Sequence, residues 1–315
     1  MQHNPRDTGA VIALDLGGTK IAGAVMDRQD GILASGELLT PAADGADAVL
    51  DAMARLVGTL RAQTGKDILG LGLGAAGVID PATARVLSAT DTISGWAGTD
   101  LAGQLRERTG LETRAVNDVH AHGLGEARFG AGRAAREVLL LAVGTGIGGC
   151  HLIEGQAHSG AHHVAGHMGH IDSPLAAGIL CSCGRSGHLE AIAAGPAIHR
   201  HYLRLGGSPD AADTRAVAQL AESGDELAVT ALRTGALAAG MAAGSLANIL
   251  DPELVIISGG MAHAGEAWWQ WLREGYESSA IDSLQGTQLV PAQLGTTAAF
   301  YGAASLFWTP ERTTS

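Results

Sequence analysis

From residue 11 onward the chain alternates short apolar runs of strand length with longer stretches in helical register. Val11 to Leu16 is a run of strand type, closed by the positions Asp15, Gly17, Gly18, Thr19 and Lys20. Ile21 to Met26 follows as a second strand, and Asp30-Gly31 turns the chain into a third, Ile32 to Leu39. Asp44 to Arg61 has helical spacing, and Ile68 to Gly74 reads as a buried strand entering Gly74-Ala75-Ala76-Gly77. Thr99 or Asp100 caps a helix running through Arg108. Thr113 to Val116 forms a strand ending at Asn117-Asp118, and Val119 to Phe129 forms the next helix.

The pattern then restarts. Glu137 to Val143 is an apolar strand, Gly144-Thr145-Gly146-Ile147-Gly148-Gly149 a glycine turn, and Cys150 to Ile153 a return strand. Helices dominate from Pro196 to Ile249. Leu254 to Ser258 is a buried strand closed by Gly259-Gly260, ahead of a helix from Gly265, and Thr296 to Phe307 is a last helix that crosses back to the first half. Each half thus opens with strand, phosphate-sized glycine turn and return strand. A P-loop or Rossmann fingerprint needs a helix after the glycines, so both are set aside. The expectation is two α/β domains, residues 1–117 with 297–315 and residues 118–296. Facing each other across a cleft, they would grip a nucleotide from both sides.

Length and charge narrow the class. A chain of 315 residues has room for two cores, and with aromatics at 3% those cores are aliphatic. A net charge of -12 argues against a nucleic-acid or anionic-membrane partner, though not against a nucleotide held by backbone N–H groups. Met1 to Ala10 is polar and lacks a signal core. The apolar stretch near Gly235 to Ile257 is interrupted by Asn248, Asp251, Pro252 and Glu253, and is not expected to span a membrane. Three cysteines make no disulfide framework, and a reducing cytoplasm is the expected compartment.

Gly166 to Glu190 holds the densest chemistry. Cys181 and Cys183 stand one residue apart, with His170 upstream and His188 downstream, a set of two thiolates and two imidazoles suited to tetrahedral zinc. The alternative is two buried cysteines beside surface histidines. Glycines at 166, 169, 178, 184 and 187 favour a tight loop around these ligands, and a metal there would lend its binding energy to folding.

Asp15 to Lys20, Asn117-Asp118, Gly144 to Gly149, Gly166-His167-Met168-Gly169-His170 and Cys181-Ser182-Cys183-Gly184-Arg185-Ser186-Gly187-His188-Leu189-Glu190 stand in order over nearly the whole chain. Together they resemble the ROK family of repressors and sugar kinases. The resemblance implies an actin-like ATPase (ribonuclease H-like) fold and transfer of the ATP γ-phosphate to a sugar hydroxyl, with Mg2+ and a structural Zn2+. It implies Asp118 as the base accepting the hydroxyl proton. The sugar contacts would be Gly77, Thr90, Asn117, Asp118, His167, His170 and Glu190. Asp15 would hold hydrated magnesium. Gly17, Gly18 and Thr19 would present backbone donors to phosphate, with Gly144, Thr145 and Gly146 as their counterpart and Gly259-Gly260 near adenosine. Lys20 is either a phosphate contact or a solvated lysine. A homodimer is expected.

Three departures from the common family pattern carry information. His188 stands where a third cysteine is usual. His167 replaces the glutamate of glucose-directed members, and Thr90 and Trp96 replace an Asn-Leu-Pro run; both are similar to N-acetylmannosamine-directed members. The expected activity is therefore an N-acetylmannosamine kinase of amino-sugar catabolism, with a glucokinase or N-acetylglucosamine kinase as the alternative. A sugar-sensing repressor would need a DNA-binding module ahead of Asp15, for which Met1 leaves too little chain. A filament-forming relative would not need Asp118 beside a full set of sugar residues.

Overall fold

The computed structural model describes residues 9–308. The polar N-terminus, apart from Gly9 and Ala10, and residues 309–315 of the expected first domain lie outside the described residues. Two compact units share the rest. The first runs to Gly130, takes in Ser159–Val164 and resumes at Thr296; the second comprises Ala131–His158 and Ala165–Gly295.

In the first unit β1 (Ala10–Leu16), β2 (Lys20–Asp27) and β3 (Gly31–Leu39) form an antiparallel meander. β4 (Ile68–Ala75) pairs in parallel with β1. A small hairpin of β5 (Val78–Asp80) and β6 (Arg85–Ser88) follows, and β7 (Thr113–Asn117) completes the sheet in the order β3-β2-β1-β4-β7. β1 is buried on both faces, which is why it reads as a continuous apolar run. Ile12, Leu14 and Leu16 join α1 (Ala46–Ala62) and α2 (Leu101–Thr109) in one core. Val11 and Ala13 face the other way, against Phe300, Ala303 and Ala304 of α9 (Ala298–Ala304).

The second unit repeats the plan. β8 (Glu137–Val143), β9 (Ile147–Ile153) and β10 (Gln156–Ala157) are antiparallel, and β11 (Leu254–Ser258) and β12 (Gln288–Pro291) add in parallel, giving the order β10-β9-β8-β11-β12. The repeat expected from the two strand–turn–strand openings is therefore present in the sheet order itself. Helices α4 (Glu190–Ala193), α5 (Gly195–Arg204), α6 (Thr214–Glu222), α7 (Glu226–Leu250) and α8 (Glu266–Ser279) cover this sheet. With 25 residues and a mean hydropathy of 1.3, α7 is long and apolar enough to cross a membrane, yet 61% of that window is buried within the unit. Its alanine and glycine face packs against α8, as a core helix of a folded unit does.

The structure moves several expected boundaries. The helix from Asn117-Asp118, α3 (Asp118–Phe129), stays in the first unit, twelve residues past the expected division. It is held there by α9: a Cβ at Gly125 would overlap the Ala298 carbonyl, and one at Gly302 the Ala121 carbonyl. Only glycine permits that approach. The last helix is shorter than Thr296 to Phe307, with a 3-10 turn at Gly295–Thr297 before it. β9 begins at Ile147 and not Cys150, because the glycines 148 and 149 pair with Ala142 and Leu141. A 3-10 turn, Gly260–His263, separates Gly259 from α8.

Candidate active site

In the first unit, β1, β4 and β7 end side by side, and their C-terminal ends bring Asp15, Gly74 and Asn117-Asp118 together. The register pairs Asp15 with Gly74 and Ala75 with Asn117. A Cβ at Gly74 would come within 2.9 Å of the Ala121 Cβ, so the glycine lets β4 lie against α3, with the Asp118 Cα and Asp15 Oδ1 3.6 and 3.8 Å from that position. Burial pushes the Asp15 carboxyl up to about 6, with Lys20 partly offsetting the rise. Burial also pushes Asp118 above the usual carboxylate range and the Asp15 charge adds to it, against the Val119 N–H and His122. Two acids held close in a poorly solvated place resist double ionisation, and a hard divalent cation with oxygen ligands relieves that cost.

Asn117 is the N-cap of α3. Its Oδ1 accepts from the Val119 N–H at 3.0 Å and the His120 N–H at 3.3 Å, and its amide donates to the Gly77 carbonyl at 3.0 Å. Asp118 is the first residue inside the helix and its Oδ1 accepts from its neighbour's N–H at 2.9 Å. One turn on, burial pushes the His122 imidazole below its usual range, against the charges of Asp118 and Glu126. The hydrogen bonds therefore assign the capping role to Asn117.

The β1–β2 turn is closed by the Gly17 N–H donating to the Lys20 carbonyl at 3.0 Å, and Thr40 Oγ1 donates to the Gly17 carbonyl at 2.8 Å. Gly18 and the exposed Thr19 form its tip. Lys20 points its ammonium at Glu37, 2.9 Å away on the neighbouring strand, in an exposed pair. The solvated alternative for Lys20 describes this position; such pairs contribute about 0–1 kcal/mol. Above the tip, a Cβ at Gly18 would come within 2.8 Å of Thr92 Cγ2, and Thr90 Oγ1 lies 3.0 Å from Thr92 Oγ1. Trp96 is buried and donates from Nε1 to the Ala76 carbonyl at 3.0 Å, so it supports the loop from beneath.

In the second unit the Gly144 N–H donates to the Gly146 carbonyl at 2.9 Å, and the Gly195 N–H at the start of α5 donates to the Gly144 carbonyl at 2.8 Å. Gly259, with φ +84°, sits against the Val143 backbone, and Gly260 N would be 3.8 Å from a Cβ at Gly144. The two glycine turns expected to serve phosphate and adenosine thus abut, while Thr145 and Gly146 remain exposed.

The loop from 166 to 190 is tied by backbone bonds: Ser173 N–H to Gly187 O, Gly187 N–H to Ile179 O, and Leu189 N–H to Ile171 O. At its tip the Cys181 N–H donates to Arg185 O at 2.7 Å and the Gly184 N–H to Cys181 O at 3.0 Å. His170, Cys181, Cys183 and His188 present ligand atoms that all lie within 4.8 Å of one another. Cys181 Sγ is 3.8 Å from His170 Nδ1, and Cys183 Sγ is 3.2 Å from His188 Nδ1. Ligand atoms around tetrahedral zinc stand about 3.3–3.8 Å apart given its usual bond lengths. The donor set fits such an ion with adjustments of about an ångström. His170 was expected both to contact sugar and to bind metal; its Nδ1 faces the cysteines.

His167 is exposed at the head of the short 3-10 helix Met168–His170, its ring centroid 6.2 Å from that of His170. Glu190 opens α4 and accepts from the Ile147 N–H at 2.9 Å through Oε2 and from Ser182 Oγ at 2.5 Å through Oε1. Ser182 was not singled out from the sequence, although its place between two cysteine ligands is the signal that could have found it.

Two sheets of one plan, each with a glycine turn between its first two strands, match the duplicated actin-like ATPase fold of sugar kinases with which this chain superposes. The chain belongs to the ROK family, whose sequence profile matches residues 11–309. It is 32% identical over 320 residues to a glucokinase of Streptomyces coelicolor, covering 96% of this chain and 99% of that one. It is 31% identical over 256 residues to an N-acetylmannosamine kinase of Citrobacter koseri, covering 81% and 84%. A ROK glucokinase from Streptomyces griseus, solved in complex with glucose and AMPPNP, superposes with a TM-score of 0.79 at 33% identity, covering 95% and 99%.

Proposed function

We propose that this sugar kinase transfers the γ-phosphoryl group of ATP to the 6-hydroxyl of N-acetylmannosamine. The observation that carries the choice of sugar is His167, exposed on the same loop as Glu190, where the family resemblance would place a glutamate in glucose-directed members. A glutamate only accepts hydrogen bonds, whereas a neutral imidazole has one donor and one acceptor and can address an acetamido carbonyl. Thr90, on the loop above the Gly17–Thr19 turn, supports the same assignment. Glucokinase is the second reading, favoured by the fuller coverage of the glucokinase relatives.

Phosphoryl transfer asks mainly for positioning and charge neutralisation. Asp118 accepts the proton of the attacking hydroxyl, and its raised pKa makes it a better base near neutrality than an exposed aspartate. Asn117 spends its side chain on the α3 cap and on Gly77, which fixes Asp118 at the first turn. The Gly17 and Gly144 N–H groups close their own turns, so the N–H groups of Gly18 and Thr19 in the first unit, and of Thr145 and Gly146 in the second, would be the ones to receive phosphate oxygens. Asp15 is the residue placed to hold hydrated Mg2+, which when bound would neutralise phosphate charge. His170, Cys181, Cys183 and His188 would hold Zn2+ as a structural clip.

The specificity constant for N-acetylmannosamine should exceed that for glucose by at least about a hundredfold, ~2.7 kcal/mol. His167→Glu should narrow the ratio by admitting glucose. A wild-type preference for glucose, or a ratio unmoved by the substitution, counts against the assignment.

The acid pair also sets a pH dependence. Asp15 and Asp118 both have raised folded-state pKa values, so their contribution to the stability of the unliganded fold is full below about pH 4; the Asp15 share fades as pH rises through about 6, and the Asp118 share is lost as that acid ionises above the usual carboxylate range. The base works ionised, so kcat/KM should climb with pH above the usual carboxylate range, with macroscopic values belonging to the pair. A profile flat from about pH 5 to 8 would show that neither acid limits the reaction.

A further inference from the structure

Glu190 has both carboxylate oxygens engaged by its own unit. Ser182 Oγ donates to Oε1 at 2.5 Å, and the Ile147 N–H donates to Oε2 at 2.9 Å. Ser182 sits between Cys181 and Cys183 on the metal clip, 3.8 Å from Cys181 Sγ. Ile147 directly follows Gly146 on the glycine turn, where a Cβ on Gly146 would come within 2.8 Å of Glu190 Oε2. Two donors on opposite oxygens fix the plane of the carboxylate, and each oxygen keeps a lone pair for a further hydrogen bond. Holding an acceptor in one orientation before its ligand arrives removes part of the ordering cost of binding.

We infer that Ser182 is a positioning residue: its hydroxyl, carried by the Cys-Ser-Cys clip, sets the Glu190 carboxylate against Ile147 in the orientation the sugar needs. The inference rests on the proposed sugar-kinase site and deepens it. The clip then does more than stabilise the loop, because its geometry reaches the sugar through one side-chain bond.

The test compares purified wild type, Ser182→Ala and Ser182→Thr with N-acetylmannosamine and glucose, alongside zinc content and thermal melting. Ser182→Ala should raise the KM for the preferred sugar about tenfold, leave the KM for ATP within about twofold, and keep wild-type zinc content and melting temperature. Ser182→Thr retains the hydroxyl and should restore the sugar KM. A Ser182→Ala enzyme with wild-type sugar KM overturns the inference, as does failure of threonine to restore it. Loss of zinc or stability in Ser182→Ala also overturns it, since the serine would then merely support the loop. A wild type that phosphorylates no sugar removes the kinase assignment beneath it, a result distinct from an active wild type with an indifferent Ser182.

Discussion

Asp118→Asn should reduce turnover by about 10²–10⁴ while sugar binding stays within a few-fold of wild type. The asparagine is nearly isosteric and its Oδ1 can still accept the Val119 N–H that Asp118 Oδ1 accepts at 2.9 Å. The α3 cap belongs to Asn117 and is untouched. What is lost is the ability to take a proton, so the deficit falls on kcat. Steady-state kinetics with calorimetric sugar binding separates the two quantities. Turnover near wild type would remove Asp118 from the base role, and loss of binding and rate together would make it chiefly a sugar contact. The unliganded variant should lose the Asp118 share of the pH-dependent stability and keep the Asp15 share, which burial causes.

Cys183→Ser has the other large effect. Among the described residues, His170, Cys181, Cys183 and His188 form the one Cys/His group with ligand atoms within 4.8 Å of one another. Removing one thiolate leaves three ligands, and metal-binding energy at such a loop is folding energy. Elemental analysis should find about one zinc per wild-type chain and essentially none in the variant. The melting temperature should fall by at least about 5 °C. Sugar affinity should fall as well, because Ser182 and Glu190 ride on the same loop. A variant with wild-type stability and activity would show that these residues hold no structural metal.

Much of this was legible in the sequence for identifiable reasons. β1, β4 and β11 are largely buried on both faces, and short apolar runs of that length flanked by glycine turns read as strands. The two strand–turn–strand openings exposed the duplication before any coordinates did. β5, β6 and β12 were missed: each has three or four residues, and Gln288–Pro291 ends in a proline at a sheet edge, a weak strand signal. The unit boundary was placed too early because nothing in the composition of Asp118–Phe129 announces that Gly125 and Gly302 let α3 and α9 lock together. At the site, residue types pointed to the clip and the base. The side-chain partnerships did not show: Lys20 is drawn to Glu37, Asn117 is consumed by capping, and Ser182 reaches Glu190 across eight residues.

The central claim is the identity of the acceptor sugar, and the most direct measurement is ADP release by the purified protein across N-acetylmannosamine, N-acetylglucosamine, glucose and mannose with MgATP. N-acetylmannosamine should give the highest kcat/KM, by at least about a hundredfold over glucose. Glucose at the top would contradict the claim and make the chain a glucokinase.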